Sequence, residues 1–139
     1  MGRILSIDYG SKRTGLAVTD PLQIIASPLD TVNTEELFSY LDKYHKTEHV
    51  EAIVIGMPKN LNNKDTDSSE AVRKVIIKLK SSFDNLPIIE IDERFTSKMA
   101  FQTMLDGGLK KKARKNKGTI DKLSATIILQ SYLQSKSTS

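Results

Sequence analysis

The sequence predicts an α/β fold with a five-stranded mixed sheet flanked by helices. Three segments of strand length lie in roughly the first quarter of the chain without a helical pattern between them, which predicts a meander. The rest of the chain alternates helix and strand patterns, which is typical of parallel strands joined by helical crossovers. Its 139 residues fit one domain over residues 1–139, since no linker or internal repeat divides them.

The stretch from Ile4 to Asp20 predicts two strands joined by a polar turn. The first strand ends in Asp8, a residue that a buried strand would not choose for stability. Two glycines are expected to let the backbone turn tightly around two cations: Gly10, Gly15, Lys12 and Arg13. From these residues alone, a plain β-hairpin with a solvated turn is an equal alternative to a ligand-binding loop.

The next elements follow from local patterns. Ile24 to Val32 predicts a third strand, in which Pro28 indicates an edge position or a bend. Thr34 and two glutamates after it predict a helix start, with a hydroxyl cap and acids in the first turn. Ala52 to Gly56 is a continuous apolar run, typical of a parallel strand buried on both faces. Residues 59–69 are polar and predict an exposed loop that could order on a ligand.

The second half of the chain predicts three more helices and one strand. Apolar residues at helical spacing from Val72 to Phe83 predict the second helix, and Leu86 to Ile91 predicts the fifth strand. A third helix is predicted between the Thr-Ser pair at 96–97 and the Gly-Gly pair at 107–108. Thr119 is expected to cap the last helix, which has few polar positions and should be largely buried.

Composition excludes several classes of protein. The chain has no cysteine, which rules out a disulfide framework and a thiolate metal site. No apolar run approaches the roughly 20 residues that span a bilayer, and the start does not resemble a signal peptide. We therefore expect a soluble, cytoplasmic protein that does not enter a membrane.

The net charge of +4 is concentrated in one segment. Six of the 21 basic side chains lie there, against 17 acidic ones in the whole chain, so the remainder is slightly acidic. The six are Lys110, Lys111, Lys112, Arg114, Lys115 and Lys117. Such a run is often just a solvated segment. Its place next to the last helix favours contact with a polyanion.

Three acidic positions are expected to converge at one edge of the sheet. Asp8 and the Asp92-Glu93 pair each end a strand, and Asp121 lies in the first turn of the last helix. Compensation of the helix dipole is the alternative role for Asp121. Converging carboxylates need a cation, and an all-oxygen set suits Mg²⁺ or Mn²⁺. The two histidines, His45 and His49, have no third ligand in view and are assigned no role.

A carboxylate-bound pair of metal ions is the usual arrangement for in-line attack of water on a phosphodiester. A polyanionic substrate would also explain the cations that lie near each acid in sequence: Lys12, Arg13, Arg94, Lys110, Lys111, Lys112, Arg114 and Lys115. We therefore expect a hydrolase that acts on nucleic acid. No aromatic cluster lies near the basic run, so recognition of backbone and shape is expected rather than base stacking.

Four motifs resemble the YqgF/RuvX family of RNase H-like nucleases. They are IDYGSKRTGLAVTD (Ile7 to Asp20), VIGMP (Val54 to Pro58), DERFTS (Asp92 to Ser97) and KGTIDKLSATIILQSYL (Lys117 to Leu133). DERFTS followed by the last helix is the specific part, whereas the glycine hairpin alone would be weak evidence. The motifs follow the family's order over nearly the whole chain.

The resemblance implies an RNase H-like fold, dependence on Mg²⁺ or Mn²⁺, and catalytic and metal-binding roles for Asp8, Glu93 and Asp121. Glu93 is favoured over Asp92 by the resemblance alone. The implied substrate is the 5′ end of precursor 16S ribosomal RNA or a four-way DNA junction. The motifs leave open endonucleolytic or exonucleolytic action, and monomer or homodimer. A non-catalytic nucleic-acid-binding factor and an ATPase with an actin-like phosphate loop are weaker alternatives.

Overall fold

The computed structural model describes residues 2–57, 67–92 and 117–137, and the side chains of all of these except residues 67, 68, 117–121 and 137. The elements are β1 (Arg3–Asp8), β2 (Arg13–Thr19), β3 (Ala26–Asn33), a 3-10 turn (Thr34–Glu36), α1 (Leu37–Thr47), β4 (Val50–Met57), α2 (Asp67–Ser82), β5 (Ile88–Asp92) and α3 (Lys117–Ser137). The helix predicted between residues 97 and 107 lies outside the described residues.

The five strands form one sheet in the order β3-β2-β1-β4-β5. β1 pairs antiparallel with β2, and β2 pairs antiparallel with β3. β1 and β5 both pair parallel with β4. The predicted five-stranded mixed sheet is confirmed, with β1 at its centre. The carboxyl ends of β1, β4 and β5 consequently share one edge, called the carboxyl edge below.

Strand β3 lies at the edge of the sheet and is bulged, as Pro28 indicated. Leu16 pairs with Asp30 but Ala17 pairs with Pro28, so Leu29 is an extra residue on β3. The strand begins at Ala26 and not at Ile24. The cause is Asp20, whose carboxylate accepts hydrogen bonds of 2.8 Å from the amides of residues 24 and 25 and closes a turn there.

The sheet has two unlike faces. Leu5 and Ile7 of β1 pack with α1 and α2 in the larger core cluster, on the side called the α1/α2 face below. Ile4 points to the other side and packs with Ala125 of α3. This second side, called the α3 face below, therefore carries the even-numbered residues of β1, because side chains alternate along a strand.

Three helix starts differ from the predictions. Thr34 makes no side-chain cap, because its hydroxyl bonds elsewhere, and a 3-10 turn precedes α1. Helix α2 begins at Asp67, inside the segment predicted to be a loop, since an Asp-Ser-Ser sequence suits a first helical turn. Helix α3 begins at Lys117, two residues before the predicted cap, and continues through Gly118 despite the low helix propensity of glycine.

Candidate functional site

Asp8 is the last residue of the central strand β1 and is partly buried. Ser6, two residues earlier, donates a 2.6 Å hydrogen bond from its hydroxyl to the carbonyl of Ala125 in α3. Because residues two apart on a strand share a face, Asp8 belongs to the α3 face. Asp8, whose charge is unfavourable at the end of a buried strand, thus lies on the face that α3 covers.

Helix α3 runs antiparallel to β1. Ala125 is joined to Ser6 near the carboxyl edge. At the other end of the helix, Lys136 Nζ lies 3.5 Å from Gln23 Oε1, and Gln23 Nε2 donates a 2.8 Å hydrogen bond to the carbonyl of Gly2. Since Gly2 precedes β1, the first residues of α3 lie toward the carboxyl edge and the last toward the opposite edge.

Asp121 precedes Ala125 in α3, and Asp8 follows Ser6 in β1. Asp8 is two residues beyond Ser6, about 6.6 Å along an extended strand, and Asp121 is four residues before Ala125, about 6 Å along a helix. Both displacements run from the Ser6–Ala125 bond toward the carboxyl edge. In the described backbone, two of the three predicted acid positions therefore lie toward the carboxyl edge from that bond, one in β1 and one in α3.

Asp92 reaches the same edge of the sheet but faces the other way. It pairs with Met57 of the neighbouring strand, so the two side chains share a face. Met57 packs in the core cluster of the α1/α2 face, whereas Ile91 packs with the α3 cluster. Asp92 and Asp8 thus project from opposite faces. Glu93, the next residue in the chain, lies outside the described residues.

The turn after Asp8 is held at three points by Thr34. The Thr34 hydroxyl donates a 2.6 Å hydrogen bond to the carbonyl of Gly10 and lies 2.9 Å from the hydroxyl of the fully buried Thr14. The Thr34 amide donates a 3.0 Å hydrogen bond to the carbonyl of Lys12. Thr34 was predicted to be a helix cap, and its contact with a distant segment was not predicted.

Only one of the two predicted turn glycines belongs to the turn. A Cβ on Gly10 would lie 2.3 Å from the Arg13 carbonyl oxygen, so no other residue fits without a backbone shift. Gly15 lies inside β2, directly opposite Asp8. The prediction that both glycines bracket the turn is therefore wrong for Gly15, because the strand pairing already resumes at Arg13.

The predicted cations are only partly within the described residues. Lys12 is exposed in the turn, and Arg13, partly buried, begins β2. The others, Arg94, Lys110, Lys111, Lys112, Arg114 and Lys115, lie outside the described residues. Of the three predicted metal ligands, only Asp8 has a described side chain, and among the described side chains no three potential ligands cluster. His45 accepts a 3.3 Å hydrogen bond from the Val50 amide and packs edge-on against Phe83, which is a structural role.

One feature of the carboxyl edge was missed by sequence analysis. A groove on the α1/α2 face brings together two aromatic and two basic side chains that are far apart in the chain: Tyr9, Phe38, Lys74 and Lys78. The predicted absence of aromatic residues concerned only the vicinity of the basic run. Spacing of Lys74 and Lys78 by one helical turn was the only available signal, and it did not indicate the aromatic partners.

Comparison with known proteins assigns the family. A family model described as "RuvX: Holliday junction resolvase" matches residues 2–135. The chain belongs to the RuvX family. A relative from Flavobacterium johnsoniae named "Putative pre-16S rRNA nuclease" is 55% identical over 136 residues, which cover 98% of this chain and 99% of the relative. A relative of the same name from Phocaeicola vulgatus is 53% identical and covers 98% of each chain.

Solved structures show the fold of this RuvX chain. The Thermus thermophilus RuvC structure matches with a TM-score of 0.53 and 14% identity over 96% of each chain. The same organism's RuvC in complex with a Holliday junction substrate matches with a TM-score of 0.58 and 15% identity, over 98% of this chain and 97% of that one. The predicted RNase H-like fold is confirmed. Within the described part of the RuvX chain, no helix is long and apolar enough to cross a membrane.

Proposed function

We propose that this protein is a metal-dependent nuclease of the cytoplasm, a single domain that processes the 5′ end of precursor 16S ribosomal RNA. The observation that carries the proposal is the position of Asp8, at the end of the central strand and on the face that α3 covers. A carboxylate at the carboxyl edge of such a sheet is where a ligand site is expected. Membership of the RuvX family and the names of its relatives support phosphodiester hydrolysis.

The proposed catalytic and metal-binding residues are Asp8, Glu93 and Asp121. The donor set is all oxygen, which fits Mg²⁺ or Mn²⁺. A bound pair of such ions would generate the attacking hydroxide and stabilise the leaving oxygen. The opposite orientation of Asp92 supports Glu93 as the acid contributed by the β5 segment. Asp8 would supply a metal ligand at a fixed position, because the hydrogen bond from Ser6 joins β1 to α3.

The proposed substrate contacts are ionic. Lys12 lies in the turn that Thr34 holds and Arg13 begins β2 directly after it, so a phosphate near Asp8 would be within reach of both residues. Arg94 and the basic run, Lys110, Lys111, Lys112, Arg114 and Lys115, flank the other two proposed acids in sequence. Contacts of this kind fix the register of the substrate backbone without reading its bases.

A four-way DNA junction is the second candidate substrate. It is favoured by the description of the matching family model and by the fold shared with a RuvC solved on a Holliday junction. The RNA substrate ranks first because relatives more than half identical over nearly their full length carry that name. Symmetric cutting of a junction would require a homodimer, whereas one active site in a monomer is enough to trim an RNA end.

The test is a cleavage panel with purified protein. Precursor 16S RNA with its 5′ extension, a four-way DNA junction and a linear duplex are each incubated with Mg²⁺, with Mn²⁺ and with a chelator. We expect metal-dependent cleavage of the precursor RNA, absent in Asp8→Asn, Glu93→Gln and Asp121→Asn. Retained cleavage in all three variants would refute the assigned site, and cleavage of the junction alone would replace the RNA by the second candidate.

A further inference from the structure

The carboxyl edge carries a groove on the α1/α2 face, away from the proposed catalytic acids. It has a volume of about 490 Å³ and is formed between the 3-10 turn with the first turn of α1 and the part of α2 from Glu70 to Lys78, with Tyr9 beside them. Ligand pockets of roughly 300–1,000 Å³ commonly hold small molecules, so the groove has room for a nucleotide.

Tyr9 joins the groove to Asp8 along the chain. Tyr9 directly follows Asp8 and is packed against the cluster of the α1/α2 face, whereas Asp8 belongs to the α3 face. Successive Cα atoms are about 3.8 Å apart, so the two side chains leave the chain from neighbouring points on opposite sides of the sheet. A nucleic-acid strand that crosses the carboxyl edge beside Asp8 would therefore meet the groove next.

The chemistry of the groove fits the parts of a nucleotide. Tyr9 and Phe38 offer aromatic surface, on which any base can stack. Lys78 Nζ lies over the Phe38 ring, 4.3 Å from its centroid, so it covers one face of that ring and leaves stacking to the other face and to Tyr9. Lys74 lies one helical turn earlier. These ammonium groups can bind a phosphate adjoining a stacked base.

Two acidic residues also line the groove and argue for a base rather than for phosphates alone. Glu35 and Glu70 balance the charge of Lys74 and Lys78, so the groove is not a general polyanion surface. Carboxylate oxygens accept hydrogen bonds from the exocyclic amino groups of bases. Aromatic faces, acceptors and cations together match an unpaired nucleotide, whose base edge is free, better than they match a paired one.

We propose that this groove is a binding subsite for one unpaired nucleotide next to the phosphodiester that is cut. The inference rests on the proposed function and adds to it a requirement for a single-stranded flank. Tyr9 and Phe38 would stack on the base, Lys74 and Lys78 would bind its phosphate, and the carboxylates would accept hydrogen bonds from the base edge. Binding by Lys12 and Arg13 and binding in the groove would then be separate contributions to affinity.

The test compares two RNA duplexes of identical sequence, one blunt and one with a short unpaired 5′ extension. Binding is measured in an Asp8→Asn background, where no cleavage interferes. Lys74→Gln with Lys78→Gln should lower affinity for the extended duplex at least about fivefold, and leave affinity for the blunt duplex within about twofold. Phe38→Leu should act in the same direction, because base stacking on an aromatic side chain is worth about 5-fold to 150-fold in affinity.

Lys80→Gln is the matched control, since this exposed lysine lies on the same helix but does not line the groove. An equal loss from Lys80→Gln, an equal loss on the blunt duplex, or no loss from the paired lysine change would overturn the subsite. The lysine variants leave the core intact, so they decide the outcome even if Phe38→Leu folds poorly. Absence of cleavage by the wild-type protein would refute the nuclease and leave this binding comparison valid.

Discussion

The two faces of the sheet are built on different scales. On the α1/α2 face, large side chains fill a broad core that includes Leu5, Ile7 and Leu79. On the α3 face, the small residues Ser6 and Ala17 of β1 and β2 and Ala125 of α3 lie among larger side chains such as Leu129. Small side chains let the backbone of α3 approach closely enough for a hydroxyl to bond its carbonyl. The first face holds the larger core, and the second carries Asp8 and is covered by the helix that contains Asp121.

The largest expected effect distinguishes Asp8, at the end of β1, from Asp92, at the end of β5. Asp8→Asn should lower metal-dependent cleavage by on the order of 10³-fold or more, because it removes a proposed ligand from the α3 face. Asp92→Asn is the matched control, since it makes the same change at the same edge but on the other face. We expect less than about tenfold loss from it, measured as cleavage rate at saturating RNA. Comparable losses from both variants would remove the distinction between the faces.

Substitutions of buried residues on the two faces should differ in their effects on the free energy of unfolding and on the cleavage rate. Leu79→Ala opens a cavity under a fully buried side chain and should lower the free energy of unfolding by about 2–5 kcal/mol. Cleavage per folded molecule should then stay near the wild-type rate, because no proposed acid lies on that face. Urea denaturation and cleavage rates measured well below the unfolding midpoint check both statements.

Ser6→Val makes the complementary change on the α3 face. It removes a fully buried hydrogen bond and should cost about 1–3 kcal/mol. Because that bond fixes α3 against β1, cleavage per folded molecule should fall by at least about tenfold, although the loss of stability is smaller than for Leu79→Ala. An unchanged rate per folded Ser6→Val molecule would mean that this contact does not position the catalytic acids.

The sheet was predictable from the sequence, whereas contacts between distant segments were not, for a physical reason. Buried strands and amphipathic helices leave periodic patterns, and Pro28 indicated an edge position or a bend where the structure has a bulged edge strand. The role of Thr34 was not predictable, because its hydroxyl bonds Gly10, which is distant in sequence, and not its own helix. The face of Asp92 was equally hidden, since it depends on which residue of β4 lies opposite.

Thr34→Val tests the smaller contribution of the turn after Asp8. The change removes two hydrogen bonds of the hydroxyl and should loosen the segment that carries Lys12 and Arg13. We expect KM for RNA to rise about 3-fold to 10-fold with kcat less affected, since about 1 kcal/mol of a positioning contact is lost. Thr34→Ser should restore KM. Thr47→Val, which alters an exposed hydroxyl near the other end of α1, should leave both constants unchanged.

Neutralising the basic run should act on binding and leave the cleavage rate at saturating RNA nearly unchanged, with the loss of affinity greatest at low salt. Replacing Lys110, Lys111 and Lys112 by Gln should lower the affinity for every nucleic acid to a similar degree and flatten the dependence of affinity on salt. Each phosphate contact contributes about 0.7 to 0.9 to the slope of log affinity against log salt, so three contacts would lower the slope by about 2 to 3. Binding titrations at several salt concentrations measure this directly. An unchanged slope would show that these lysines are solvated and that the phosphate contacts lie elsewhere, with the turn carrying Lys12 and Arg13 as the next segment to test.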